Sequence, residues 1–352
     1  GETHGGMLGG GVGGVTDLVQ QTRGTIGVGP AVALNTFGGA LAPPLFGVFL
    51  LPRLGTATLL LCVALAYLPL AVGRSRARWA PAAGVAVVLV PLLLFTDPGR
   101  VVDVPPGGDL LEFREGVLAT AAVVEDGRGT RQLRVNNRFV MGATGADVSD
   151  RRQAHIPLLL HPDPRDALFL GLGTGASFAA VAPHPDVRAT AVELIPELPA
   201  LMHWFGPSRE AVEADPRLHL VTADARRYVR SVDRRYDVIV AEVFHPSRDG
   251  AGALYTVEHF RAVRERLADE GLFCQWLPLF QLDLETLRLI TRSFLAVFPD
   301  AEAHLAHFSL ERPLVGLIGR TAPSRFDAGW LLKRVRTREL AEDLLRVLLD
   351  SD

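Results

Sequence analysis

Three long stretches near the start of the chain carry no charge: Arg23 to Arg53, Arg53 to Arg74, and Arg78 to Asp97. Each is long enough for a helix to cross a hydrocarbon core about 30 Å thick. The pattern predicts spans near Ile26–Leu51, Thr56–Val72 and Trp79–Phe95. The first contains Pro43-Pro44 and several glycines, which membrane helices tolerate better than soluble ones. A secretory signal peptide does not fit, because there are several apolar runs and the first is too long. The tight Pro52-Arg53-Leu54-Gly55 link is expected to fold the first two spans into a helical hairpin. The three arginines of the Arg74–Arg78 link point to the cytoplasm by the positive-inside rule, which would put everything after the third span outside. The chain begins at Gly1 without an initiating methionine, which leaves room for further spans upstream.

The remainder has a different character. Residues 1–100 hold nine charges, whereas 66 of the following 252 positions are charged, 30 basic and 36 acidic, for a net charge of −6. One end therefore reads as membrane and the other as an ordinary soluble domain. A purely soluble protein, a disordered chain and a disulfide scaffold are excluded, the last because Cys62 and Cys274 lie in separate apolar runs. A mildly acidic domain lacks the cationic field that nucleic acid requires. Lys333 is the single lysine beside 35 arginines, a bias in keeping with genomic base composition rather than a phosphate-binding surface.

Four segments are expected: a transmembrane region over 1–100, a small β region over 101–150, an α/β domain over 151–320 and a helical tail over 321–352. In the second, Leu110–Glu115, Leu118–Val124 and Gln132–Val135 alternate around a Gly127-Arg128-Gly129 turn, as in a β-hairpin. In the third, Ala167–Leu170, Ala189–Val192, Leu218–Val221, Asp237–Ala241 and Leu272–Gln275 read as buried parallel strands, with Gly271 just before the last of them. Helices over Ser177–Val181, Pro196–Trp204, Ala225–Ser231, Thr256–Leu267 and Leu284–Phe298 lie between and after them. This is the pattern of a Rossmann-like doubly wound α/β sheet.

Ligands of such sheets bind at the carboxyl ends of the strands. Gly171-Leu172-Gly173-Thr174-Gly175 follows the first strand and opens a helix, where missing side chains let a ligand approach backbone N–H groups. With Ala176 the turn also satisfies the nicotinamide or flavin form, and such turns occur with no ligand. Glu193, ending the second strand, can accept hydrogen bonds from both hydroxyls of a ribose, or is a surface carboxylate. Asp224, after the third strand, can accept from an adenine amino group, cap the helix starting at Ala225, or do both. The joint occurrence favours an adenosyl ligand over a dinucleotide. Glu242 and His245 close the fourth strand and would face the space above the glycine turn, where a carboxylate can orient an acceptor and a histidine can take a proton. The alternative for His245 is a loop histidine bonded to backbone. His155, His161, His184 and His203 have no metal-ligand spacing, so no metal is expected.

These residues resemble spermidine-synthase-like proteins, polyamine aminopropyltransferases fused to a major-facilitator-like membrane region. The resemblance runs through Asn136–Gly142, His155-Ile156-Pro157 to Pro164, Gly171–Gly175, Tyr236–Pro246, Gly250–Thr256 and Cys274–Leu279, with Asn35–Gly39 and Leu51–Gly55 similar to the end of the membrane region. It implies a fold of the class I S-adenosylmethionine-dependent methyltransferase type, and two ends shortened relative to such proteins. The donor it implies is decarboxylated S-adenosylmethionine or S-adenosylmethionine, held by Gly171, Gly173, Gly175, Glu193, Asp224 and Ala225, with Glu242 and His245 catalytic. Two aspartates of the family's strand-four motif are here Glu242 and His245. Its tyrosine-histidine-glutamate trio falls on Ser149, Asp150 and Arg151, and a gatekeeping glutamine falls near Val140. An arginine in place of an acceptor-binding glutamate argues against a cationic acceptor.

The expected protein is thus a membrane-anchored transferase for an amine or other small acceptor, integral to the inner or plasma membrane and without a nucleic-acid partner. A second copy of the chain is a further candidate partner. The catalytic domain is expected in the cytoplasm, where adenosyl donors are made, against the arginine count. A methyltransferase and a non-catalytic nucleoside sensor coupled to a transporter-like region are the alternatives.

Overall fold

The computed structural model describes residues 28–72, 102–206, 212, 214–244, 246, 250–307, 312–323, 327–335 and 337–349. The chain divides into two compact units, Gly1–Gly99 and Arg100–Asp352. In the first, helix α1 (Val28–Ala42) runs into a π-helical stretch, Pro43–Leu50, and then α2 (Leu51–Val72). The wider winding falls on Pro43-Pro44, where missing N–H donors and ring clashes forbid regular α-helix. Pro52, Arg53 and Leu54 are helical, and Arg53 donates to the Phe49 carbonyl at 2.6 Å. The expected four-residue link is therefore narrower than its sequence suggested: among these residues only Gly55, at φ 75° and ψ 161°, leaves the helix. Gly29–Ala66 is long and apolar enough to cross a membrane, and Val32, Leu34 and Phe37 are exposed. The expected span at Trp79–Phe95 and the Arg74–Arg78 link lie outside the described residues.

The second unit opens with four antiparallel strands in sequential order, β1 (Asp109–Glu115), β2 (Thr120–Glu125), β3 (Arg131–Val135) and β4 (Phe139–Ala143). Asn136 and Asn137, both at φ 52°, begin the three-residue connection from β3 to β4, where positive φ values suit asparagine. The expected hairpin is thus a four-stranded sheet. Helix α3 (Asp147–Leu160), unforeseen from the sequence, follows it. Its buried face is polar, with Arg151, Gln153 and His155, and it carries Pro157 internally, so no apolar period marks it.

The α/β portion then alternates β5 (Asp166–Leu170), α4 (Ala176–Ala179), β6 (Arg188–Glu193), α5 (Leu198–Leu201), β7 (Leu218–Thr222), α6 (Ala225–Ser231), β8 (Tyr236–Ala241), α7 (Val257–Glu265), β9 (Leu267–Pro278) and α8 (Leu284–Leu295). Two strands beyond the expected five complete the sheet, β10 (Glu302–His307) and β11 (Leu314–Arg320), in the order β7-β6-β5-β8-β9-β11-β10. Strands β5 to β9 pair parallel, and β11 and β10 add antiparallel. Gly271 lies within β9 rather than before it, because that strand starts early and is interrupted by an irregularity with Glu270 at φ 63°. Apolar clusters cover both faces of the sheet, one around Phe169, Phe178 and Trp276, the other around Phe260, Phe273 and Phe294. Helices α9 (Ala328–Arg334) and α10 (Arg338–Leu349) follow β11.

Candidate active site

The order of the strands places β5 between β6 and β8, so the connections leave it in opposite directions and open a crevice at its carboxyl end. A cavity of 670 Å³ occupies that position. Gly171, Gly173, Glu193, Asp224, Ala225 and Glu242 all line it. Gly175 does not. It turns into α4 at φ 83°, and a Cβ there would lie 2.2 Å from the Met202 methyl, so its lack of a side chain serves the turn and its packing. His245 lies outside the described residues.

The carboxylates are held by backbone. Glu193 ends β6 and accepts from the Leu172 N–H at 3.1 Å and the Ile195 N–H at 2.8 Å, which ties the second strand to the glycine turn after the first. A carboxylate accepts more than two hydrogen bonds, so a vicinal diol can be held alongside these. Asp224 caps α6 through Oδ1, taking the N–H groups of Arg226 at 2.8 Å and Arg227 at 3.2 Å. The capping reading of this residue is therefore correct, and it faces the cavity as well. Strands lie about 4.8 Å apart, so β7, β6, β5 and β8 carry Asp224, Glu193, the glycine turn and Glu242 across the crevice in that order.

Gly171, at φ 101°, passes close to Glu242: a Cβ there would lie 3.0 Å from that of Glu242. The Ser177 hydroxyl donates to Glu242 Oε1. Burial pushes the Glu242 carboxyl up to about 7, an effect to which Glu193 adds and which Ser177 opposes. Behind β8, the Tyr255 hydroxyl donates to the Phe244 carbonyl and fixes the segment that follows Glu242.

The small sheet supplies the other wall. Gly142 of β4 lies so close to the turn that a Cβ would be 2.5 Å from the Thr174 methyl, and Phe139, Val140 and Met141 line the cavity. From α3 come Asp150 and Gln153. Burial holds the Asp150 carboxyl well above the usual range, and the charges of Glu242 and Asp147 act in the same direction. Arg151 is not part of the cavity wall. It is buried, and its guanidinium donates to both carboxylate oxygens of Asp343 on α10. The expectation that this arginine faces the acceptor is overturned, since consecutive residues of a helix point about 100° apart and it is Asp150 that turns inward. The sequence reading missed Ser177 and Gln153. The second could have been found from its spacing of three from Asp150, which puts both on one helical face.

Residues 148–308 match the spermine/spermidine synthase domain. This spermidine-synthase-like segment holds all of the cavity's carboxylates, but begins after β4. The chain is 32% identical over 155 residues to a polyamine aminopropyltransferase of Desulforudis audaxviator, an alignment covering 43% of this chain and 55% of that protein. It is 31% identical over 152 residues to polyamine aminopropyltransferase 1 of Aquifex aeolicus, with 43% and 54% covered. The chain thus spans about half the length of the curated relatives it matches. Among solved structures, a spermidine synthase in complex with the transition state analogue AdoDATO superposes with a TM-score of 0.55 at 19% identity, covering 66% of this chain and 88% of that one. Spermidine synthase from Thermotoga maritima gives 0.53 at 18% identity, with the same coverage. The spermidine-synthase-like domain therefore shares that α/β fold.

Proposed function

We propose that the α/β unit binds an S-adenosyl donor and transfers an aminopropyl group from decarboxylated S-adenosylmethionine to an amine. The observation that carries this reading is the row of groups along the crevice. Asp224 and Ala225 suit the adenine, Glu193 the ribose diol, and the glycine turn the close passage of the chain toward sulfur. Glu242 stands at the far end, beside the reacting carbon. The acceptor nitrogen attacks the methylene next to the sulfonium, the C–S bond breaks toward sulfur, and a neutral thioether leaves. The proton of the acceptor amine passes to the Glu242 carboxylate. A carboxyl with a pKa of about 7 is suited to this exchange near neutral pH. Alignment of nucleophile, carbon and leaving sulfur supplies much of the remaining rate. The similarity to polyamine aminopropyltransferases supports the choice of donor, and the apolar Gly29–Ala66 helix supports a membrane anchor; the transferase belongs on the cytoplasmic side because adenosyl donors are made there.

Calorimetry with S-adenosylmethionine and its decarboxylated form tests the donor, with tighter binding expected for the second. Equal failure of both would sink the reading. Transfer to an amine, followed by mass spectrometry, is expected to fall by about 10²–10⁴-fold in Glu242→Gln, the range of a lost general base, while donor binding persists.

A further inference from the structure

Helices α6, α7 and α8 cover one face of the sheet, where Val229, Phe260, Val263, Ile290 and Phe294 join a single apolar cluster. Their outward sides are cationic. The three helices hold seven arginines and three acidic residues, although residues 101–352 as a whole carry more acidic than basic groups. The two N-cap carboxylates, Asp224 and Asp283, are turned to backbone N–H groups of their own helices. On the opposite face of the sheet α3 has two arginines and two aspartates, and both arginines point inward, Arg151 to Asp343 and Arg152 to the Ala306 and Val347 carbonyls. The preference for arginine over lysine runs through the whole chain; what singles out the α6–α8 layer is where the charge falls.

Beside α7 this charge lines a cleft of 410 Å³, formed by Arg235, Arg261, Arg264, Glu265, Ala296 and Val297. The Arg264 guanidinium is fixed there, donating from Nη1 to the Val297 carbonyl at 2.8 Å and lying 5.8 Å from the Phe298 ring centroid. Arg235 gives one N–H to the Leu267 carbonyl at 3.4 Å. Arg261 has no ion pair or hydrogen bond among the described residues, and neither do Arg288 and Arg292 on α8. An arginine has five donors, so the three guanidiniums of the cleft keep most of theirs for oxygens from outside. Helix α8 adds apolar groups to the same side. Leu284, Leu289 and Leu295 are exposed, the first at 59% and the second at 56%, while Ile290 and Phe294 are buried in the core. At about 100° per residue, Leu284, Arg288, Leu289, Arg292 and Leu295 share an arc of about 140°. A face turned to water alone is polar. Leucines set among arginines suit a boundary where phosphate lies above hydrocarbon.

We propose that the outer face of α6, α7 and α8 docks the α/β unit on an anionic lipid surface, with the Arg235–Arg261–Arg264 cleft holding a headgroup phosphate and the α8 leucines entering the acyl boundary. Guanidinium matches the geometry of phosphate, and an anionic leaflet draws basic segments to itself. A nucleic acid would satisfy the arginines but leave the leucines in water. The apolar Gly29–Ala66 helix, long enough to cross a membrane, belongs to the same chain. Docking of this kind deepens the membrane reading and is independent of the transferase chemistry.

Hydrogen–deuterium exchange on the 352-residue chain, reconstituted into lipid discs, tests this. Discs of phosphatidylcholine are compared with discs of equal parts phosphatidylcholine and phosphatidylglycerol. Exchange over Val257–Glu265 and Leu284–Leu295 is expected to slow by about fivefold or more in the anionic discs, the effect of one arginine held at such a surface, while Asp147–Leu160 stays unchanged. Salt at about 1 M, which shortens the screening length to about 3 Å, should remove the difference. Combined Arg261→Gln, Arg288→Gln and Arg292→Gln should remove it too, whereas Arg261→Lys, Arg288→Lys and Arg292→Lys should keep it. Equal exchange in both discs, or a difference that survives salt or the glutamine variant, overturns the proposal. Equal slowing by duplex DNA added to the neutral discs assigns the face to a soluble polyanion and overturns it as well. Exchange over Asp166–Leu170 reports the fold of each variant, and where that strand opens, the salt series on the parent chain still decides. Resistance to carbonate extraction reads the Gly29–Ala66 anchor separately, so loss of the anchor and loss of docking are distinguishable.

Discussion

At Glu242 two demands on one carboxyl oppose each other. Burial raises its pKa to about 7, which suits a base at neutral pH, but a carboxyl whose folded pKa exceeds its unfolded value makes folding less favourable as pH rises between the two. The transfer rate is therefore expected to climb with pH through about 7 and level off above it. Glu242→Gln should give a flat, low profile and, at pH 7.5, a Tm raised by about 2–4 °C for each kcal/mol relieved. A pH–rate series and a thermal melt check both, and a rate that falls with rising pH would remove Glu242 from the role of base. The neighbouring residues differ in how far the sequence revealed them. Glu193, Asp224 and Glu242 were legible because each ends an apolar run, and strand ends are where such sheets bind ligands. Asp150 and Arg151 were not. Telling which of two adjacent residues faces a cavity requires the phase of the helix, and α3 hides its phase by burying arginine, glutamine and histidine.

Helix α3 also shows how an element acquires its place. Asp343 of α10 binds Arg151 and accepts from His155 Nε2 at 2.9 Å. His155 Nδ1 lies 3.0 Å from His184, whose other nitrogen meets Arg334 at 3.2 Å. His184 is itself buried, and burial pushes its pKa well below its ordinary value. Hydrogen bonds from His155 and Arg151 hold Asp343 down, to about 2, against the burial that opposes them. The signs give two acid steps. His184, neutral when folded, costs stability as pH falls below about 6.5, where the unfolded chain takes up its proton. Asp343 contributes stability above about pH 4 that is lost as pH falls toward 2. Asp343→Asn is expected to cost about 3–5 kcal/mol at neutral pH, because it leaves a buried guanidinium without its counter-charge. It should also abolish the lower acid step. Urea unfolding across pH 2–8 would show this, and an unchanged lower step in the variant would refute it. The parallel strands β5 to β9 were plain in the sequence as apolar runs. By contrast β4 was not foreseen, and β11 mixes two glycines into its apolar run. Against those glycines pack Trp276 and Phe298, contacts from distant segments that no local pattern reveals.

For the whole molecule, the charge-poor start and the charged remainder correspond to two units, each with its own structure. The apolar Gly29–Ala66 helix leads to the expectation that the chain stays with membranes after alkaline carbonate washing and is released by detergent. In sealed vesicles, proteolysis of the Arg226–Arg235 region should occur only from the cytoplasmic face. Release by carbonate alone would remove the anchor, and cleavage from the outer face would reverse the orientation. The strand order has a consequence of another kind. Because β5 pairs with β8, and β6 and β7 intervene between them in sequence, the crevice has no precursor in any contiguous piece of chain. Its walls come together only when the long-range pairing is complete, late in folding by the entropy of closing such loops. A molecule able to hold the nucleoside is thus one that has finished folding, and occupancy of the crevice serves as a census of mature protein.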